Sequence, residues 1–525
     1  VRARPLRRDG TGPFAALGLL AALAGTACRA PAGGPERLRI GVAAGHRDDA
    51  VLSPLVYGGG FHTKSLVYER LVTNDREGRL VPDVLAGWTR EDGGRAWRLE
   101  LPAGRRFHDG SPLDAYAVAS HLRRVFADPA HRWTLTAATA CAIEVLGPTT
   151  LRLELGRPHA APADLAPLNP TGLVAPAAFE GPRQHAAIGS GPYRVVDVEE
   201  GDRVRYAAHD PLAGPPRLEL VLLDVTRQFG DRAFAALHEG RVDALVDDWT
   251  PRIPRARVRV ALARGGLRLH REPGSSVVLL AFNTARAPFD ERDWRARVAA
   301  AIDRDALVAH AQRGLARPTR TLFGATVAAW PARAAPAGPP PGPAPRAVVR
   351  GRGELARAIP LHALPLRLLV HEDDGGQIAA ARQLARQLLA TGLVVQVQPV
   401  PMAEMTARRG AGDYELLLTR TWGLPYDPHV TLVARLSPWL DAATAVRDPP
   451  LHTSPRLTAA LREALTLPDD EGARRAGWRR VQAVLDAALP LVPLYVPDHL
   501  ALLGPRAAGL AFAENGYGLD LRGVR

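Results

Sequence analysis

Lysine is almost missing from this chain. Lys64 is the single lysine among 67 basic residues; all the others are arginine. The formal charge is +13 and the isoelectric point lies near 10.5, a balance that invites a nucleic-acid reading. Nucleic-acid binders gather their charge on one face and add aromatic stacking platforms. Here the arginines are scattered among alanines and prolines with no such block, so the excess reads as compositional bias and nucleic acid is set aside as a partner. Cysteine is scarce too, with only Cys28 and Cys141. Two cysteines cannot build a cysteine metal cluster, and if Cys28 is modified no internal disulfide remains. Cys141 reads as a small buried apolar residue.

Other absences narrow the chemistry. Beyond the N-terminal segment no apolar run approaches the ~20 residues that a membrane-spanning helix needs. There is no HExxH zinc helix, no GxSxG elbow and no GxxxxGK[ST] phosphate loop. "GSGPY" (Gly189 to Tyr193) is a turn into a strand and not a nucleophile elbow. An exported hydrolase, the distant alternative, would need a Ser/His/Asp or two-carboxylate constellation that the sequence does not announce. No resident cofactor is expected, and the protein is not expected to be an enzyme.

What is present starts with the N-terminus. Arg2, Arg4, Arg7 and Arg8 precede the uncharged run "FAALGLLAALAGTA" (Phe14 to Ala27) and then Cys28. A basic segment, a short apolar segment and small residues make an export signal over residues 1–28. Cys28 after "AGTA" resembles a lipobox, although Gly25 stands where leucine is usual. Cys28 is therefore the candidate lipid attachment site, and the expected location is periplasmic or cell-surface. Residues 29–37 form a polar, Pro/Gly-rich tether.

The remaining length, with 46% hydrophobic residues, suffices for two or three core-forming units. "LRIGVAA" (Leu38 to Ala44) reads as a strand. "GGGFHTKSLVYERLV" gives a glycine turn and an amphipathic helix through Leu66, Val67 and Leu71. A strand over Ala96 to Leu101 leads to a helix with Pro112 near its first turn and a stripe of Ala115, Ala119, Leu122 and Val125. Ala142 to Leu155 reads as a hairpin about Gly147-Pro148. After Glu272-Pro273-Gly274 come a buried strand (Ser275 to Thr284) and one helix over "DWRARVAAAIDRDALVAHA". Residues 331–345 are a proline-rich surface loop. "LPLRLLVHEDDGGQIAAARQLARQLLATGLVVQVQPV" then gives a βαβ unit, with Ala381, Leu384, Ala385 and Leu388 on one helix face and Gly392 as its C-terminal cap.

One loop asks for an explanation. "YELLLT" (Tyr414 to Thr419) reads as a buried strand, and it runs straight into "RTWGLPYDPH", where Trp422 and Tyr426 are stiffened by Pro425 and Pro428. In open α/β sheets ligands gather beyond the carboxyl ends of strands, which is where this loop falls.

"SLVYERLV", "LVPDVLAGW", "RFHDGSPLDAYAV", "AIGSGPYRVV", "ALHEGRVDAL", "LLAFNTARAPFDE" and "LPLVPLYVP" together resemble the extracytoplasmic solute-binding proteins of peptide/nickel ABC importers, in that family's order and over nearly all of the chain. "HRWTL" and "RTWGLPYDPH" resemble the nickel-binding branch more than the oligopeptide-binding branch. The resemblance implies an α/β, bilobal periplasmic-binding-protein-like clamshell with mixed sheets and an interlobe cleft. Lobe 1 would span residues 38–272, lobe 2 residues 273–488, and residues 489–525 would return to lobe 1. It implies a monomeric receptor that hands its cargo to a membrane permease. In the nickel branch that cargo is a metal held by a small organic chelator and caged by aromatic rings, whose faces attract cations at little entropic cost.

On that resemblance the cage residues are Trp133, Trp422 and Tyr426. Tyr57, Phe61 and His62, around the Gly58-Gly59-Gly60 turn, are candidates for the cleft floor, though His62 also reads as solvent-facing. The branch's arginine, which clamps the chelator's carboxylates, is replaced here by Asn169. Leu440 stands near the position of its metal-ligating histidine, leaving His429 and His452 as candidate ligands. A nickel-like chelate is the first expectation, and a short peptide the alternative. "HEDDGG" (His371 to Gly376) has the composition of a hard-metal site, but lies where aspartate caps a helix.

Overall fold

The computed structural model describes residues 37–44, 52–56, 60–75, 77–131, 140–199, 203–210, 214, 217–224, 229–247, 253–323, 330, 347–350, 357–360, 366–424, 428, 431–432, 436, 451–452, 454–466, 471–513 and 518–524. Cys28, Tyr57, Trp133, Tyr426, His429, Leu440 and the proline-rich residues 331–345 lie outside them.

The chain opens with β1 (Leu38–Ala44) and α1 (Phe61–Val67). A four-stranded antiparallel sheet follows, built from β2 (Gly87–Glu91), β3 (Ala96–Glu100), β4 (Ala140–Gly147) and β5 (Thr150–Leu155) in the order β2-β3-β5-β4. Between β3 and β4 runs α2 (Ala115–Ala127), and its stripe of Ala115, Ala119, Leu122 and Val125 is buried as its period demands. Pro112 falls short of this helix. The N-cap is Asp114, whose carboxylate accepts the N–H of Ala117 at 2.9 Å, a stronger start signal than the proline.

α1 is shorter than its sequence pattern suggests. It ends at Val67 because the Val67 carbonyl is taken from outside the helix, by the N–H of Gly191 at 2.8 Å. The two glycines of "GSGPY" make this approach possible. A Cβ on Gly189 would sit 2.0 Å from the Val67 oxygen, and one on Gly191 would sit 2.7 Å from that of Leu66. Leu71 is buried, but outside the helix.

The main sheet has twelve strands and two halves. The first half contains β6 (Tyr193–Glu199), β7 (Arg203–Ala208), β8 (Arg217–Asp224) and β9 (Ala244–Val246), and beyond α3 (Arg255–Ala263) comes β10 (Arg268–Pro273). β1 lies parallel between β8 and β9. The second half contains β11 (Val278–Phe282), α4 (Arg292–Ala301) and β12 (Ala316–Pro318). It continues with β13 (Leu366–His371), α5 (Gly375–Leu388), β14 (Val395–Val400) and β15 (Leu416–Arg420). β13 and β14 pair in parallel, giving the βαβ unit, and Gly392 adopts a left-handed conformation just past the helix.

One strand joins the halves. β16 (Leu491–Leu503) pairs with β11 and β12 through its first part and with β10 and β9 through its second. All thirteen of its residues are buried, as expected for a strand with neighbours on both edges and covered faces. At the crossing point Gly274 is obligatory, since a Cβ there would lie 2.2 Å from the Pro497 oxygen.

The expected single helix after β11 is broken. α4 stops at Ala301, and Asp303 caps a new turn by accepting the N–H of Ala306 at 2.9 Å. The chain then widens into a π-turn over Leu307–Ala311. A capping aspartate inside a helical period competes with continuation, and here it wins.

Candidate functional site

The loop after β15 is fastened to the segment where the two halves meet. Thr421 is fully buried; its N–H reaches the Val277 oxygen at 2.9 Å while its hydroxyl accepts the Val277 N–H at 3.0 Å. Leu424 N–H donates to Ser275 Oγ at 3.0 Å, and Gly423 turns the chain with φ +78°. Trp422 sits between these anchors, half-buried, its N–H reaching Thr431 Oγ1 at 3.3 Å. Its indole packs against the apolar cluster containing Leu279, Ala281, Leu369 and Leu417 on one face of the second half-sheet. Phe61, from the first turn of α1, belongs to the same cluster. The structure thus brings two of the sequence-derived candidates to one apolar assembly, at the carboxyl end of β15.

Asn169 is wholly buried in the turn Leu168–Thr171, and neither its amide oxygen nor its amide nitrogen has a partner among the described residues. Buried polar groups are nearly always paired, so this side chain marks a place where a further polar group belongs.

His62 does not face solvent. It is buried, its Nε2–H donates to the Asp247 oxygen at 2.6 Å, and its ring lies 6.2 Å from that of Phe512. It became inaccessible because Asp247, just past β9, and the C-terminal Phe512 both close over α1, contacts separated from it by well over a hundred residues. His499 joins the same group, and burial pushes its imidazole down to about 3.

His452 lies elsewhere. Its Nδ1 is 3.5 Å from Thr284 Oγ1, and burial, then the nearby Arg295 charge, lower its pKa. β11 and β15 are antiparallel, with Val278 opposite Arg420 and Phe282 opposite Leu416. Thr284 is therefore at the far end of the strand pair from Trp422, ~26 Å away at about 3.3 Å per residue. The geometry does not bring His452 to the Trp422 loop. Among the described residues no group of three or more His, Cys, Asp or Glu is arranged to hold a metal ion.

"HEDDGG" resolves as a helix start. Asp374 caps α5 by accepting the N–H of Gln377 at 2.9 Å, and it also forms a buried ion pair with Arg420. Sequence reasoning missed that pair, whose members lie 46 residues apart. It also missed Lys64, which is fully buried and donates from Nζ to the Val56 oxygen at 2.6 Å. Its uniqueness as the only lysine was the available signal.

With this geometry in place, the likenesses to known proteins become informative. Residues 79–439 match the model described as bacterial extracellular solute-binding proteins, family 5 Middle. The chain belongs to that family. It is 24% identical over 475 residues to the nickel-binding periplasmic protein of Escherichia coli K12, covering 86% of this chain and 87% of that one. Among solved structures it resembles NikA from Brucella suis in complex with Fe(III)-EDTA, with a TM-score of 0.75 at 19% identity, over 93% of this chain and 99% of that one. It also resembles a dipeptide binding protein from Pseudoalteromonas sp. SM9913 in complex with Met-Leu, with a TM-score of 0.69 at 16% identity, over 93% and 99%. The fold is accordingly the periplasmic-binding-protein clamshell, and the protein is a solute-binding receptor of the ABC-importer type, not an enzyme. Among the described residues no helix is long and apolar enough to cross a membrane.

Proposed function

We propose that this receptor captures a metal held by a small organic chelator, nickel-like in character, in a cleft between two lobes, and delivers it to a membrane permease. The lobes are residues 38–272 completed by 489–525, and residues 273–488, hinged at Arg271 to Ser275 and Leu489 to Pro497. The observation that carries the reading is Trp422: a half-buried indole on a loop tied by Ser275 and Thr421 to the hinge. Such a ring is rigid, offers a large apolar face and attracts cationic cargo. The nickel-binding relative supports it because that likeness runs along most of both chains. Trp133, Tyr426 and Tyr57 would complete the cage with Phe61, and Asn169 would offer its unpartnered amide to the chelator in place of an arginine clamp.

Short peptides are the second reading, favoured by the fold shared with the dipeptide-binding protein. Calorimetric titration of the wild type and Trp422→Ala with nickel plus free histidine, other metal chelates and a short-peptide pool decides between them. Losing a buried aromatic anchor costs ~2 kcal/mol or more, a weakening of about thirtyfold. Peptide binding that is unchanged in Trp422→Ala hands the assignment to the peptide reading. Cys28 is the proposed lipid anchor, so Cys28→Ala is expected to move a membrane-associated protein into the soluble fraction.

A further inference from the structure

Lys64 lies in the first turn of α1, the helix that opens at Phe61, and its ammonium is fully buried. It reaches both sides of a short turn. Its Nζ donates to the Val56 oxygen at 2.6 Å, and its backbone N–H donates to the Gly60 oxygen at 2.9 Å. Between those two carbonyls the sequence is Tyr57-Gly58-Gly59. Glycine has no side chain to pack and little conformational preference of its own, so such a turn takes its position from its flanks. Gly60 itself sits in the left-handed region, with φ +70°.

At the upstream flank apolar packing does little, since the Val56 side chain is 42% exposed. Hydrogen bonds fasten this flank instead. Tyr68, which ends α1, donates its hydroxyl to the Leu52 oxygen at 2.7 Å and accepts from Gln184 Nε2 at 2.9 Å. Gln184 Oε1 in turn accepts the Ser53 hydroxyl at 2.7 Å. Residues 52–56 are therefore strapped to α1 at both ends, by Tyr68 at Leu52 and by Lys64 at Val56. The Lys64 bond is the charge-assisted one, and such bonds are roughly twice as strong as neutral ones. The downstream flank is Phe61, which packs in the apolar cluster that Trp422 joins. One side chain thus fixes Val56, on one side of the turn, relative to the ring beside Trp422 on the other.

We propose that Lys64 is a positioning residue of the cargo site. By tying Val56 to α1 it holds Phe61 and the turn before it in the arrangement that receives the cargo, without touching the cargo itself. The role depends on Phe61 lining the cleft, as in the chelate reading, and it serves a peptide there equally well. A wall arranged in advance spares binding the cost of ordering it, so a loosened strap is read as lost affinity.

Lys64 is the only lysine, so the full chain labelled with carbon-13 lysine gives a single ε-methylene resonance. That resonance is expected to shift when the wild type is saturated with nickel plus free histidine or with a short-peptide pool, whichever binds in calorimetric titration. Lys64→Met is expected to weaken the same binding by about tenfold or more, and Tyr68→Phe by about threefold. Tyr68→Phe removes only a hydroxyl, and it decides the matter if Lys64→Met does not fold. A resonance that stays in place at saturation, or variants that melt lower yet bind as the wild type does, overturns the proposal and leaves Lys64 a structural role alone. Peptide binding in place of chelate binding, with the same losses in the variants, refutes the chelate reading and upholds the positioning role. A wild type that binds neither probe overturns both.

Discussion

The buried pair of Asp374 and Arg420 allows a stability prediction to be worked through. Asp374 does two things at once: it caps α5 through Gln377 and balances the charge of Arg420, which is only 9% exposed. Asp374→Ala removes both. The cap alone is worth ~1 kcal/mol. Breaking a buried ion pair by deleting one partner costs ~3–5 kcal/mol, because a charge is left uncompensated. An adjacent cavity can admit water to Arg420, so the lower end applies and the total should be about 4 kcal/mol, read on the cap and pair magnitudes together. Asp374→Asn keeps an acceptor for the cap and should lose about 3 kcal/mol, the pair contribution by itself. In an Arg420→Met background it is Asp374 that is left buried without its partner, so Asp374→Ala there should cost no more than the cap, ~1 kcal/mol, and less by whatever relief the removed charge brings. The coupling energy across this double-mutant cycle is then at least ~3 kcal/mol, the upper end for groups in direct contact. Urea unfolding followed by tryptophan fluorescence measures it, provided the denaturant slope is the same in all four proteins. If Asp374→Ala costs ~1 kcal/mol in both backgrounds, Arg420 never relied on Asp374 and the reasoning fails.

Other expectations are shorter to state. Gly274→Ala should destabilise by ~1–3 kcal/mol or more, because its Cβ would press on the Pro497 oxygen where the strand crosses between the halves; a thermal melt no different from wild type would contradict that packing. His121 and His499 are both held down to about 3, chiefly by burial. An unfolded imidazole titrates near ~6.5. Folded-state pKa values below the unfolded one mean that this stability is complete above that pH and is lost as the pH falls towards 3. The melting temperature should therefore drop between pH 7 and pH 4, and His121→Gln with His499→Gln should flatten the profile; an equally steep profile in the double variant would refute the assignment.

How much was legible follows from which interactions are local. β1 was readable because an apolar run bounded by turn residues is recorded in consecutive positions, and the βαβ unit because period, cap and Gly392 lie within one stretch. The end of α1 was not, because its terminus is set by Gly191, more than a hundred residues away. The break after α4 was misread for a different reason: Asp303 fits a helical period and an N-cap equally well, and only the packed structure selects. His62 looked exposed because nothing adjacent in sequence announces Asp247 and Phe512.

By itself, then, the sequence determined the family, β1, α2, the β4–β5 hairpin, β11, the βαβ unit and β15 with the Trp422 loop after it, all of which rest on local periodicity and short motifs. Tertiary structure alone decided which groups lost water. It put Trp422 and Phe61 on one apolar cluster, left His452 at the far end of the strand pair, buried Lys64, and matched Arg420 to Asp374. It also opened a cavity between elements contributed by both halves of the sheet. Burial is a property of neighbours brought from distant parts of the chain, and neither the charge of a residue nor its type states who those neighbours will be.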